Sequence, residues 1–143
     1  MRILALDIGT KTIGLALSDP MGILAQGLTT VKRTSLDKDL EEVMAYIKEY
    51  NVELLLAGKP YHMNGDEGKS VQMVMNFANR LRDISGLDLI YQDERLSTVS
   101  AEKILMESKV RRENRKKYVD KIAATYILQT YLDGRTYGNN HFD

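Results

Sequence analysis

The chain has 143 residues, 43% of them hydrophobic and 28% charged, which suits one globular domain able to bury a core without covalent staples. It contains no cysteine, so disulfides and thiolate metal sites are excluded, and its 20 basic residues balance 20 acidic ones. Affinity for a polyanion would therefore have to come from local clustering of charge.

Ile3, Leu4, Ala5 and Leu6 open a buried strand over residues 2–8, and Thr12 to Ser18 forms a second. That first apolar run is broken by Asp7 and is too short for a signal peptide or membrane span, which points to the cytoplasm and to no membrane partner. Gly9-Thr10-Lys11 reads as a hairpin turn in which glycine supplies an unusual dihedral. The Asp19-Pro20-Met21-Gly22 turn leads to a third strand, Ala25 to Val31. Three strands joined by short turns make an antiparallel meander.

The period then becomes helical. Ser35 is a good N-cap, and Leu36, Leu40, Val43, Met44 and Ile47 recur at helical spacing up to about Tyr50. Leu54 to Ala57 is a continuous apolar run ended by Gly58 and Pro60, as in a strand covered on both faces. The polar loop from Tyr61 to Gly68 precedes a helix from about Ser70 to Ile84, with Val71, Val74, Met75, Ala78 and Leu81 as its apolar set. Leu87 to Tyr91 is a fifth strand, ending in Gln92-Asp93-Glu94-Arg95. Ser97 or Thr98 caps a helix through Met106, and a last helix runs from about Lys117 to Leu132. The domain is expected to span residues 1–134, with residues 135–143 as a polar, flexible tail. A meander followed by two strands reached through helical crossovers makes both kinds of pairing. The fold class is α/β: a five-stranded mixed sheet, antiparallel meander plus two parallel strands, flanked by helices.

Three acids interrupt this pattern. Asp7 lies in what should be a central strand, where a carboxylate is costly to desolvate unless paired or metal-bound; the alternative is an Asx-turn to Gly9 or Thr10. Asp120 shares the apolar side of the last helix with Ala123, Ala124, Ile127 and Leu128; the alternative is an anion favourably placed in a first helical turn. Glu94 and Asp93 close the fifth strand, at the end where ligands bind in open α/β sheets, and alternation lets only one of them face such a site. Alternation groups Glu94 with Ile90 and Gln92, while an ion pair with Arg95 is the structural alternative. Clustered carboxylates are tolerable with cations between them, and an oxygen donor set without His or Cys points to Mg²⁺ or Mn²⁺.

The run from Lys109 to Lys117 holds six basic residues and one acid, a local charge of +5 on a neutral chain. Such a run is commonly a solvated surface, but this one directly precedes Asp120, and a phosphate backbone is the natural partner of cations beside a metal site. His62 and His141 fall in polar loop and tail, and the methionines Met44, Met73, Met75 and Met106 take helical core positions. No Walker loop or dinucleotide fingerprint is present.

Leu4-Ala5-Leu6-Asp7-Ile8-Gly9-Thr10-Lys11 with Gly14, Asn64-Gly65-Asp66-Glu67-Gly68, Gln92-Asp93-Glu94-Arg95-Leu96-Ser97-Thr98, and Asp120-Lys121-Ile122-Ala123-Ala124 with Ile127-Leu128-Gln129 occur in one order. Together they resemble the YqgF/RuvX family over about residues 2–134. Proteins of that family are described as Holliday junction resolvases and as nucleases for the 5′ end of pre-16S rRNA. The resemblance implies an RNase H-like fold and a catalytic, metal-holding triad at Asp7, Glu94 and Asp120, with two Mg²⁺ or Mn²⁺ ions. It implies phosphodiester hydrolysis leaving 5′-phosphate and 3′-hydroxyl ends. Thr10, Lys11 and Arg95, with Lys109, Arg111, Arg112, Arg115, Lys116 and Lys117, are the candidate contacts to nucleic acid, whether structured RNA, ribosomal precursor particles or branched DNA. Lys59 departs from the family, whose members usually carry an apolar residue between the glycine and the proline. RNA and DNA junctions present the same phosphates, and monomer and homodimer both stay open. Two rivals stand beside this reading: a nucleotide-binding ATPase with an Asp-x-Gly-Thr phosphate hairpin, which needs two such domains, and a non-catalytic nucleic-acid or ribosome-associated module.

Overall fold

The computed structural model describes the backbone of residues 1–59, 69–93 and 115–142 and the side chains of residues 1–59, 70–92 and 121–134. Its elements are β1 (Ile3–Ile8), β2 (Thr12–Ser18), β3 (Ala25–Lys32), α1 (Leu36–Glu49), β4 (Leu54–Lys59), α2 (Lys69–Ser85), β5 (Asp88–Asp93) and α3 (Arg115–Phe142). The expected helix through Met106 and the loop Tyr61–Gly68 lie outside the described residues.

The five strands form one sheet in the order β3-β2-β1-β4-β5. β1 and β2 pair antiparallel, as do β2 and β3, whereas β4 is parallel to β1 and to β5. This is the expected mixed sheet. The meander follows from two short turns. In the second, Gly22 N–H donates to Asp19 O at 3.0 Å, and Ile23 N–H donates to the Asp19 carboxylate at 2.7 Å. Gly22 there takes φ 72°, a left-handed conformation that glycine adopts without a Cβ penalty. The first turn differs from expectation. The described glycines with positive φ are Gly22 and Gly86, so Gly9 supplies no left-handed residue. Gly9 N–H instead donates to Thr12 O at 2.9 Å, and contacts from the end of β3 hold the turn from outside.

Alternation along each strand divides the core in two. Leu4, Leu6 and Ile8 of β1, with Ile13, Leu15 and Leu17 of β2, meet α1 and α2 on one face. Ile3 and Ala5, with Ala16, Leu54 and Leu56, meet α3 on the other. α1 starts where expected: Ser35 accepts a hydrogen bond from Lys38 N–H, and Leu40, Val43 and Ile47 are buried. α2 buries Val71, Val74, Ala78 and Leu81 as the spacing requires, while Met75 of the expected set stays partly exposed and Phe77 completes the stripe in its place.

α3 uses small residues to lie close to the sheet. Ala123 and Ala124 are fully buried, and a Cβ on Gly27 of β3 would fall 2.7 Å from Lys121 Cε and 3.1 Å from Thr125 Oγ1. Ile127, Leu128 and Leu132 fill the remaining space, and truncating any one to alanine should cost about 2–5 kcal/mol. The helix continues to Phe142, past its expected end at Leu132. Gly134 does not stop it: an interior glycine costs only about 1 kcal/mol relative to alanine, and no proline follows. Among the described residues no helix is long and apolar enough to cross a membrane.

Candidate active site

Asp7 belongs to β1, the middle strand of the sheet, not to the turn that follows. Its Cα partner across the antiparallel ladder is Gly14, and it stands one position beyond the parallel pair Leu6–Ala57, beside Gly58. It shares the parity of Ile3 and Ala5, so its carboxylate is on the α3 face, where the residue is 8% exposed. Gly14 shares the parity of Ala16, and Gly58 that of Leu54 and Leu56, so both glycines also belong to that face. Register continues the row to Thr30 beyond Gly14 and to Gln92 beyond Gly58. A buried carboxylate is thus flanked across the sheet by two positions without side chains. The Asx-turn alternative loses one of its two donors, because Gly9 N–H is engaged by Thr12 O.

The carboxyl ends of β1, β4 and β5 lie side by side, since Leu6 pairs with Ala57, Ala57 with Tyr91 and Lys59 with Asp93. Ile90 packs on the α3 side and Gln92 Nε2 donates to Ile127 O at 3.1 Å, so the alternation read from sequence holds through Gln92. Glu94 follows β5 directly and lies outside the described residues, as does Arg95.

α3 runs against β1. Gln129 joins the β2–β3 turn, accepting from Ala25 N–H at 2.9 Å and donating to Ile23 O at 3.2 Å. Lys121 and Thr125 lie over Gly27, which is level with Ala16 and Ala5. The N-terminal turns of α3 therefore point toward the end of β1 that carries Asp7. Position 120 is in these turns, six residues into a helix that starts at Arg115. Among the described residues the helix's first turn, from Arg115, holds no acid. The Asp120 side chain and those of Arg115, Lys116 and Lys117 lie outside the described residues, together with Lys109, Arg111 and Arg112. Among the described residues no group of three or more His, Cys, Asp or Glu side chains could hold a metal ion.

Thr10 and Lys11 are exposed at the β1–β2 turn, a few residues beyond Asp7. Lys32, also exposed, pairs with Thr12 at the same end of the sheet. Lys59 shares the parity of Ala57, so this departure sits on the α1–α2 side, opposite Gly58 and Asp7. The sequence pattern gave no sign of a second feature here. Arg33, directly after β3, pairs with Asp39 of α1 at 3.1 Å, and the two side chains are 14% and 2% exposed. Arg33 Nη1 donates to Gly9 O at 3.0 Å and lies 5.2 Å over the Phe77 ring. Two charges six residues apart, one after a strand and one inside a helix, have no period to betray them.

The chain is similar to known proteins over nearly its whole length. A protein from Clostridium kluyveri, named "Putative pre-16S rRNA nuclease", is 53% identical over 133 residues, covering 93% of this chain and 97% of that one. RuvC of T. thermophilus, solved in complex with a Holliday junction substrate, superposes with a TM-score of 0.63 at 13% identity, covering 95% and 96% of the two chains. The fowlpox virus resolvase bound to Holliday junction DNA gives a TM-score of 0.56 at 14% identity, over 94% and 98%. At such identities these structures establish the fold, which is RNase H-like. Residues 1–134 match the family model described as RuvX, Holliday junction resolvase. With that match and a relative more than half identical, the chain belongs to the RuvX family.

Proposed function

We propose that this protein is a divalent-metal-dependent nuclease that hydrolyses phosphodiester bonds in the cytoplasm, trimming the 5′ end of pre-16S rRNA. The observation that carries the reading is the buried Asp7 carboxylate on the α3 face, with Gly14 and Gly58 beside it and the N-terminal turns of α3 directed to the same end of the sheet. Close relatives with the name of a pre-16S rRNA nuclease support the substrate.

A carboxylate so little exposed among Ile3, Ala5 and Leu56 is the kind of hard oxygen donor that suits Mg²⁺ or Mn²⁺. Asp7, Glu94 and Asp120 would hold one or two such ions, which when bound supply an activated water and stabilise the leaving oxygen. The chain's own groups do the rest. Gly14 and Gly58, which carry no side chain beside Asp7, would let the scissile phosphate approach the sheet. Thr10 and Lys11, exposed at the turn, offer a hydroxyl and an ammonium to a neighbouring phosphate. Arg95 and the basic positions Lys109, Arg111, Arg112, Arg115, Lys116 and Lys117 would attract the phosphate backbone by their charge.

The test is cleavage of a precursor 16S RNA and of a four-way DNA junction under one Mg²⁺ or Mn²⁺ condition, with chelator as the metal-free arm. RNA cleavage that needs metal and falls by more than about 100-fold in Asp7→Asn is expected, a loss of roughly 3 kcal/mol in transition-state stabilisation. Equal activity in Asp7→Asn would overturn the assignment. A second reading, resolution of branched DNA, is favoured by the family description and by the junction-bound structures of the same fold. Preference for the four-way junction in this assay would select it.

A further inference from the structure

We propose that Arg33 is a positioning residue that sets the Gly9–Lys11 turn for contact with the substrate's phosphate backbone, an inference that rests on the nuclease reading above. Both ends of that turn are held by this one residue. Arg33 N–H donates to Lys11 O at 2.9 Å, and Arg33 Nη1 donates to Gly9 O at 3.0 Å.

The guanidinium is itself aimed. Its Nε donates to Asp39 Oδ2 at 3.1 Å, its Cζ lies 5.2 Å over the Phe77 ring, and Asp39 is in turn fixed by Thr34 N–H donating to Oδ1 at 3.0 Å. A charged fork with two bonds in different directions restrains orientation in a way that a single ammonium does not. At 14% exposure Arg33 is too enclosed to be a phosphate contact in its own right, whereas Thr10 and Lys11 are exposed at the tip of what it holds. Asp7 does not depend on this clamp. It is within β1, paired through the ladder to Gly14 on one side and next to β4 on the other.

That separation dictates the kinetic signature. Loosening the turn displaces Thr10 and Lys11 but leaves Asp7 in the sheet, so binding of nucleic acid weakens and the chemical step does not. Steady-state cleavage of whichever nucleic acid the wild type cuts is compared for the wild type, Arg33→Lys, Arg33→Gln, Lys11→Ala and the Arg33→Gln/Lys11→Ala pair. KM should rise about 10-fold in each Arg33 variant with kcat within about threefold. Lys11→Ala should raise KM in the wild type and add nothing in the Arg33→Gln background, because the two residues act as a unit. The dependence of binding on salt should lose about one phosphate contact in either variant.

A merely structural Arg33 would reduce the active fraction, which lowers apparent kcat and leaves KM alone. Arg33→Lys keeps the charge and decides the matter if Arg33→Gln does not fold. Amide spectra of the same variants should show shifts concentrated at Gly9 to Thr12, a readout independent of activity. Unchanged KM in the Arg33 variants while Lys11→Ala raises it would overturn the proposal, and so would a Lys11→Ala variant with wild-type KM. A wild type that cleaves neither RNA nor junction DNA would instead remove the nuclease reading on which the proposal stands.

Discussion

Asp39→Ala should destabilise the protein by about 3 kcal/mol, near the lower end of the range for breaking a buried ion pair from one side. The figure follows from what the substitution leaves behind. Asp39 is 2% exposed and Arg33 14%, so the guanidinium keeps its charge with little water to replace the lost carboxylate. Losing a first-turn acid of α1 adds roughly 0.5 kcal/mol. Against this, Arg33 can still lie over Phe77, a contact worth about 1–2 kcal/mol when desolvated, although without Asp39 its fork is no longer fixed toward Gly9 O. Thr34 loses an acceptor but is exposed and can hydrate. Urea unfolding followed by circular dichroism is the assay: with a slope of about 1–3 kcal/mol per molar, the midpoint should fall by roughly 1–3 M. Two controls isolate the cause. Asp83→Ala removes a pair with Arg82 at 3.2 Å, Asp83 being 67% and Arg82 47% exposed, and should change stability by no more than about 1 kcal/mol. Arg33→Met/Asp39→Leu, apolar on both sides, should recover most of the loss. A drop below about 1 kcal/mol in Asp39→Ala, with an unchanged slope, would refute the reasoning, since it would place the pair in the class of solvent-screened ions.

Gly58→Val puts a branched side chain beside Asp7 on the α3 face while improving strand propensity by up to about 1 kcal/mol. The fold should be kept by circular dichroism and cleavage should fall by more than about 100-fold, whereas full activity would show that the space between β1 and β5 is not used. Burial pushes the Tyr91 phenol above its ordinary value of 10.0, against a smaller opposing pull from the Arg82 charge. The folded state therefore keeps its proton where the unfolded state has lost it, and stability should decline as pH rises from about 10 upward. Tyr91→Phe should flatten that decline; identical alkaline profiles would contradict it.

What the sequence disclosed followed a simple physical division. β1 was legible as a continuous apolar run because both of its faces are covered, α1 because burying one face imposes a period, and Ser35 and Asp19 announced their cap and turn by side-chain chemistry. Asp7 was legible as a charge that breaks the apolar run of β1. Phe77 escaped because it widens the apolar stripe of α2 and is not needed to define it. α3 overran its expected end because Gly134 lowers helix propensity without forbidding it. Gly58 reads along the chain as a terminator. Its place between Asp7 and Gln92 emerges only when three strands are put in register, which is a property of pairing and not of any one segment.

Arg33 and Asp39 were hidden for a related reason: each alone is an ordinary surface charge, and only the fold removes both from water. Their enclosure also explains how the site divides its labour. A carboxylate that must stay fixed sits on the middle strand, with a ladder on each side, where displacement would break bonds to both β2 and β4. A turn has no such ladder, and a substrate as variable as a nucleic-acid backbone is better met by groups with some latitude. The Gly9–Lys11 turn has a clamp in place of a ladder, strong enough to orient its tip and separate enough from Asp7 to be adjusted without disturbing it. Substitutions around Arg33, Thr34 and Asp39 should accordingly tune affinity, and substitutions in the row Gly14–Asp7–Gly58 should tune rate.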